Sequence, residues 1–439
     1  MFSRPIKNRI GVISIIFLTI FPVAIWLLMK PLGDRFANSF FALSSVGQIA
    51  GLLGMILFAL TLILSARLKF LEDYFGGLNK VYNIHHISGV VAFILLLVHP
   101  LTLSIRLIPI SVIEAAKFLI PGGDWAVNFG ILSLLLMMLL LVVTFFSMKM
   151  RYQNLKMIHK ILGITFFVGA LHSFLIPSDI SQNMVLRFYI LGFAGLAILT
   201  YLYRSIFGGL MVNKFNYLVE AVNLKNEGVV EIVMSPEGER MNYLPGQFLF
   251  VSFIDGGISK EVHPFSISSA PMEEALRITV KSLGDWTTEL KNLNVGSTAK
   301  IEGPFGEFSY LKGKSKNQIW IAGGIGVTPF LNMLRNLRIN RRDDMNIDFY
   351  YTTKAGNEMV FTDEIEDITR ECSNIRFIPH ASNEIGHLSA DAIKNISGDM
   401  TGKEVFMCGP LPMMNSLRNQ FSRVGIHSDM IHTEEFKLL

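Results

Sequence analysis

The sequence predicts a multidomain membrane protein: an all-α bundle of six transmembrane helices, then an antiparallel β-barrel, then a doubly wound α/β domain. Three observations predict it. Hydrophobic residues make up 51% of the 439 residues and the mean hydropathy is +0.44, too apolar for an ordinary soluble protein of this size. The apolar excess lies in long uncharged runs before about residue 210, whereas the remainder alternates charged and apolar residues as a soluble fold does. Within that remainder, short strands with turn signals give way near 315 to a strand, Gly-rich turn, helix and strand. The boundaries expected are 1–210, 211–313 and 314–439.

The six helices are expected at 10–29, 44–66, 81–105, 126–148, 155–176 and 185–207. Each run is close to the roughly 20 residues that cross a bilayer core. Arg4, Lys7 and Arg9 precede the first run, as in a signal peptide, but the further runs of the same length favour an uncleaved span. An even number of spans puts both ends on one side. The N-terminus and the loops after the second and fourth runs hold Arg4, Lys7, Arg9, Arg67, Lys69, Lys80, Lys149, Arg151 and Lys156. The opposite loops hold fewer cations, namely Lys30, Arg35, Arg106, Lys117 and Arg187. The positive-inside rule therefore predicts cytoplasmic termini, with the third and fifth helices running outward in parallel; the membrane expected is the cell (inner) membrane.

The soluble part reads as strands at 229–234, 248–254 and 276–282, separated by Gly, Pro and Asn, then strands at 318–322 and 346–352 with a helix from Thr328 between them. The net charge of +4 comes without a dense basic run, which sets nucleic acid aside. Cys372 and Cys408 are the only cysteines, and neither spacing nor neighbours suggest a disulfide or a zinc site, so a reducing compartment is expected for this half.

Five of the ten histidines fall in the third and fifth runs: His85, His86, His99, His159 and His172. A strongly polar group inside a span is costly, so a functional or paired role is expected. Imidazole is an axial ligand of heme iron, although a proton relay would also use intramembrane histidines. His85 and His99 are about 21 Å apart along an ideal helix and within about 40° of one face. His159 and His172 have nearly the same rise but about 140° of angular offset, which tilt, side-chain reach or distortion near Gly163 and Gly169 would have to absorb. Because the two helices run parallel, His85 pairs with His159 at the inner level and His99 with His172 at the outer level. His86 competes with His85. Gly89 and Gly163 stand four residues after His85 and His159, and a Gly there would let a porphyrin lie close to the backbone.

In the soluble half, IAGGIGVTP at 321–329 follows a strand and opens a helix. Gly323, Gly324 and Gly326 would let backbone amides approach a pyrophosphate at the helix start, with Thr328 and Pro329 beginning the helix.

In order along the chain stand LPGQF at 244–248, HPFSISSAP at 263–271, VKSLGDWT at 280–287, EGPFG at 302–306, GGIGVTP at 323–329, MCGP at 407–410 and HTEEF at 432–436. With the histidine pairs before them, these segments resemble the NADPH oxidase and ferric reductase superfamily over the whole chain. Its members join a six-helix diheme domain to a ferredoxin-NADP reductase-like dehydrogenase domain. The resemblance implies FAD, two b-type hemes and NADPH, with NADH also open. It implies that His263, Pro264, Phe265 and Ser266 contact FAD, His263 near its phosphates and Phe265 against its rings. Lys281, Ser282, Trp286 and Thr287 resemble the second FAD segment. Cys408, Gly409 and Pro410 would lie beside the nicotinamide and Phe436 over the flavin, although Leu438 and Leu439 extend beyond that aromatic. In YYTTKAG at 350–356, Thr353 and Lys354 suit a 2′-phosphate, and no Asp or Glu stands there to favour NADH.

The function expected is electron transfer from NAD(P)H through FAD and the hemes to a small extracytoplasmic acceptor. Oxygen giving superoxide comes first, then a ferric chelate, then a periplasmic partner protein, for which no signal is evident. The outer segments 30–43, 106–125 and 177–184 contain neither His nor Cys. Arg106, seven residues past His99, could draw an anionic acceptor or a heme propionate.

Overall fold

The structure is a computed structural model that describes residues 4–146, 152–226, 228–254 and 257–435, with backbone alone at 4–8, 145–146, 152–156 and 209–210. The expected topology charges Lys149 and Arg151, and Phe436, lie outside the described residues. The chain divides into two compact units, Met1–Val212 and Asn213–Leu439.

Among the described residues, the first unit contains six helices long and apolar enough to cross a membrane. They are Arg4–Met29, Ser39–Leu64, Leu78–Ile105, Trp125–Phe146, Tyr152–Leu175 and Met184–Tyr201, the last continuing as a π-helical turn over Leu202–Ile206. The second begins five residues before the expected start because Asn38 caps it, its side chain accepting from Phe41 N at 3.1 Å. Asn183 caps the sixth in the same way, accepting from Leu186 N at 2.9 Å. Ile13, Phe17, Ile94, Leu135, Leu139, Phe188 and Leu199 are exposed along these helices, an outward apolar face that suits lipid.

The third helix packs along the second, and the fifth along the fourth. Small residues permit the first contact. A Cβ at Gly47 would lie 2.6 Å from Thr102 Oγ1, and one at Gly54 would lie 2.8 Å from Leu96 Cγ. The fifth helix is α-helical throughout. The angular offset between its histidines is therefore absorbed by side-chain reach and helix placement, with no break at Gly163 or Gly169.

Among the described residues, the second unit contains eleven strands. β1 (Phe215–Asn226), β2 (Val229–Pro236), β3 (Phe248–Ile254), β4 (His263–Ser266), β5 (Leu276–Lys281) and β6 (Thr298–Phe305) form an antiparallel sheet in the order β4-β3-β6-β1-β2-β5. A bridge between Ile267 and Ile278 joins its two edges, curling it into a barrel. Val219, Ile232, Val251, Phe253, Ile278 and Ile301 fill the interior.

β7 (Asn317–Gly323), β8 (Asn346–Thr353), β9 (Ile375–Ala381), β10 (Glu404–Cys408) and β11 (Ile431–Glu434) form a parallel sheet in the order β11-β10-β7-β8-β9. Strand alternation sends Trp320 and Ala322 into one apolar layer and Ile319 and Ile321 into the other, so both faces are covered. Connections leave β7 in one direction toward β8 and return on its other side at β10. The crevice outside the carboxyl ends of β7 and β10 is thus the ligand position in a sheet of this type.

Candidate functional site

Two pairs of imidazoles face each other in the membrane unit. The ring centroids of His85 and His159 are 6.0 Å apart with planes at 63°, and those of His99 and His172 are 6.3 Å apart at 65°. An imidazole nitrogen binds a metal at about 2 Å, so two rings ligating one metal from opposite sides have centroids roughly 6 Å apart. Both pairs suit that arrangement. His86, next to His85, is exposed and in neither pair.

Backbone carbonyls hold three of the four rings. The Nδ1 atoms of His85, His99 and His172 bond Thr61 O at 2.8 Å, Gly47 O at 2.7 Å and Ala126 O at 2.7 Å. A carbonyl only accepts, so Nδ1 carries the proton and the Nε2 lone pair is left for a ligand role. Two glycines make this approach possible. A Cβ at Gly51 would lie 2.7 Å from His99 Nδ1, and one at Gly130 would lie 2.9 Å from His172 Nδ1. Each glycine stands four residues after the carbonyl that receives the bond. Gly163, expected beside a porphyrin, has another duty: its Cβ position is 2.2 Å from the Tyr201 ring, because the sixth helix closes over it. Gly89 has only the Thr61 methyl at 3.5 Å. Arg106 is engaged at the end of its helix, donating to Ser44 Oγ at 2.8 Å and Leu103 O at 3.1 Å.

In the second unit, Trp286 gathers the expected flavin segment. His263 stacks on it at 4.2 Å and Phe265 lies nearly parallel to it, 12° apart at 6.0 Å. The His263 Nε2 bonds Glu261 Oε2 at 2.9 Å, so a carboxylate engages one nitrogen of the ring expected near phosphate. Ser266 is buried, and its Oγ has no hydrogen-bond partner among the described residues. A buried hydroxyl without a partner is costly, and a cofactor lying along β4 would supply one. Pro264 shares that strand. Lys281 is exposed and Ser282 is tied to Gly228 O through its N–H at 2.8 Å. The Thr287 hydroxyl accepts from Leu283 N and Gly284 N at 2.9 and 3.0 Å, so it caps its own short helix.

The carboxyl ends of β7, β10 and β8 carry the remaining described residues. A Cβ at Gly326 would lie 2.2 Å from Cys408 O, and Gly323 and Gly409 meet backbone to backbone, since a Cβ on Gly409 would lie 2.9 Å from Gly323 Cα. These glycines let the two strand ends pack together. Gly324, with φ +53°, has nothing among the described residues within 4 Å of its Cβ position, so of these glycines it is the one with open space there. Thr328 and Pro329 are buried at the helix start, the Thr328 hydroxyl donating to Ile325 O at 3.1 Å, while Pro410 is exposed beside Gly409. Thr353 donates its hydroxyl to Ala355 O at 2.8 Å, which commits the proton expected for a phosphate, and Lys354 is exposed next to it.

Glu434 is the residue to which sequence reasoning gave no role. It is 6% exposed and pairs in register with Cys408 across β10 and β11. Burial first, and the Glu434 carboxylate second, push the Cys408 thiol well up, so it stays a neutral thiol rather than a nucleophile. Its place in HTEEF was visible in the sequence, but the strand register that sets it against Cys408 was not.

The chain matches three family models: the ferric reductase like transmembrane component over residues 50–170, the FAD-binding domain over 214–328 and the oxidoreductase NAD-binding domain over 320–419. It is similar to Flavohemoprotein B of Dictyostelium discoideum, 25% identical over 224 residues, 45% of this chain and 53% of that protein. It is also similar to the glycine betaine monooxygenase reductase subunit of Chromohalobacter salexigens, 27% identical over 211 residues, 44% of this chain and 56% of that one. The chain thus spans about half the length of these curated relatives. Among solved structures, flavohemoglobin from Malassezia yamatoensis with bound FAD and heme aligns with TM-score 0.50 at 15% identity, covering 99% of this chain and 98% of that one, a likeness of fold alone.

Proposed function

Because the chain belongs by its architecture to the NADPH oxidase and ferric reductase superfamily, we propose that it carries electrons from cytoplasmic NAD(P)H through FAD and two b-type hemes to an acceptor across the membrane. It is an NAD(P)H-dependent flavocytochrome oxidoreductase with a membrane-spanning half. Bound FAD supplies the conversion of two-electron to one-electron chemistry, and heme supplies the one-electron steps. The chain's own part is position. Gly324 and the helix start receive the dinucleotide phosphates, Phe265, Ser266 and Trp286 hold the flavin, and Cys408, a neutral thiol, borders the nicotinamide with Glu434 beside it. His85 with His159, and His99 with His172, hold the two irons.

One observation carries the reading: two facing imidazole pairs at matched separation, 6.0 and 6.3 Å, in the same two helices. Oxygen is the first acceptor because the outer segments 30–43, 106–125 and 177–184 offer no His or Cys to hold a metal. The balanced reaction is NAD(P)H with two molecules of oxygen giving NAD(P)+, a proton and two superoxide ions. A second reading, electron donation to a partner protein on the outer side, is favoured by the apolar residues Ile110, Val112, Ile113, Ile120 and Trp125, all at least 60% exposed in one outer segment.

The test is the reduced-minus-oxidised optical spectrum of protein loaded with FAD and heme, with a count of each. Low-spin b-type absorption at two hemes per chain is expected, and its absence rejects the heme assignment. NADPH consumption in air with dismutase-sensitive cytochrome c reduction selects oxygen. Turnover confined to a ferric chelate under argon rejects oxygen.

A further inference from the structure

The helix Thr328–Ile339 starts at the Gly324–Val327 turn, and its first turns carry two buried polar side chains three residues apart on one face, Asn332 and Arg335. Asn332 Nδ2 donates to Ile267 O at 3.1 Å, and Arg335 Nη1 donates to Ser268 O at 2.8 Å. Both carbonyls belong to the residues that follow HPFS in β4, in a stretch where Ser266, Ile267, Ser268, Ser269 and Ala270 are all buried. The remaining guanidinium nitrogens reach two further elements. Nε and Nη2 fork onto the Glu364 carboxylate at 2.6 and 2.8 Å, and Nη2 lies 3.3 Å from Glu231 Oε1 on barrel strand β2. Glu231 is itself 2% exposed and paired with Lys225 Nζ at 2.9 Å.

One cation thus joins the tail of the flavin strand, the barrel wall and the dinucleotide domain. Stability alone is a weak reason to bury it, since apolar packing of the same volume serves at least as well. What apolar packing does not provide is a fixed register between two main-chain segments, and here each bonded carbonyl is one or two residues from the unpartnered Ser266 hydroxyl. We propose that Asn332 and Arg335 are positioning residues that set the dinucleotide cradle at hydride-transfer distance from the flavin-holding strand. The inference rests on NAD(P)H-to-FAD chemistry and not on the hemes.

Rapid mixing of full-length, FAD-replete protein with NADPH under argon tests it, reading flavin bleaching against NADPH concentration, with NADPH deuterated at the transferred position in parallel. For Asn332→Ala and Arg335→Lys the limiting rate constant is expected to fall by on the order of tenfold to a hundredfold, as for a misplacement near 1 Å. The isotope effect should rise, while the apparent dissociation constant changes by less than about threefold. Arg338→Lys, on the same helix but in an exposed pair with Glu371, should match wild type. Asn332→Ala is the milder change and carries the test alone if the arginine variant does not fold. A wild-type limiting rate in a variant that retains FAD overturns the proposal, as does a raised dissociation constant with an unchanged rate. An identical failure in Arg338→Lys also overturns it.

Discussion

At Gly51 and Gly130 a single methyl group would collide with an imidazole nitrogen, at 2.7 and 2.9 Å respectively. Overpacking a tight contact costs about 1–3 kcal/mol, and here the ring is the most movable neighbour. Gly51→Leu and Gly130→Leu should therefore swing His99 and His172 away and lower the heme count from two to one per chain, with flavin reduction by NADPH unchanged. A pyridine hemochrome assay beside flavin bleaching decides it, and an unaltered heme count refutes the role given to these glycines. Gly324 calls for the opposite expectation, because its Cβ direction is open and its φ of +53° is left-handed. A valine there strains the turn and covers the amides, so Gly324→Val should raise the KM for NADPH by about tenfold, or roughly 1.4 kcal/mol, at little change in kcat. Steady-state kinetics with ferricyanide as acceptor measures this.

Among the elements, the parallel sheet is closed at its amino end by a buried acid. Glu404, fully buried at the start of β10, accepts from His432 Nε2 at 2.6 Å, Lys314 N at 2.7 Å and Ser315 N at 3.0 Å. Burial works against its ionisation, but the His432 and main-chain hydrogen bonds prevail and hold the carboxyl below the ordinary glutamate range. A carboxyl with a depressed folded pKa contributes stability that is complete above its unfolded pKa and is lost as pH falls through the folded one. Glu404→Gln should accordingly unfold earlier near neutral pH, by about 1–3 kcal/mol, with the difference narrowing on acidification below the ordinary glutamate range. Thermal unfolding followed at two pH values reads the trend, and a gap that widens in acid contradicts it.

For the whole molecule, the prediction is one of order along an electron path. His85→Leu removes one side of the inner imidazole pair while leaving the second unit's segments intact. NADPH should then still bleach the flavin and reduce ferricyanide, whereas reduction of the outer heme and of oxygen should fall by at least about tenfold. Equal loss of flavin reduction would show that the two units do not work in series as proposed.

The three-part architecture was legible before any contact was known, because each signal is local. Helix-length apolar runs name spans, a strand, Gly-rich turn and helix name a dinucleotide fold, and histidine spacing of 14 and 13 residues in two spans places two levels. The pairings of His85 with His159 and His99 with His172 were legible from helix direction and rise. Tertiary contacts alone show which glycines touch protein and which leave open space, that His263 faces Glu261, that Glu434 stands beside Cys408, and that Asn332 and Arg335 bond the residues following β4. Those facts depend on contacts between residues far apart in the chain. Strand register and helix crossing set such contacts, and a one-residue shift in register turns every side chain to the other face.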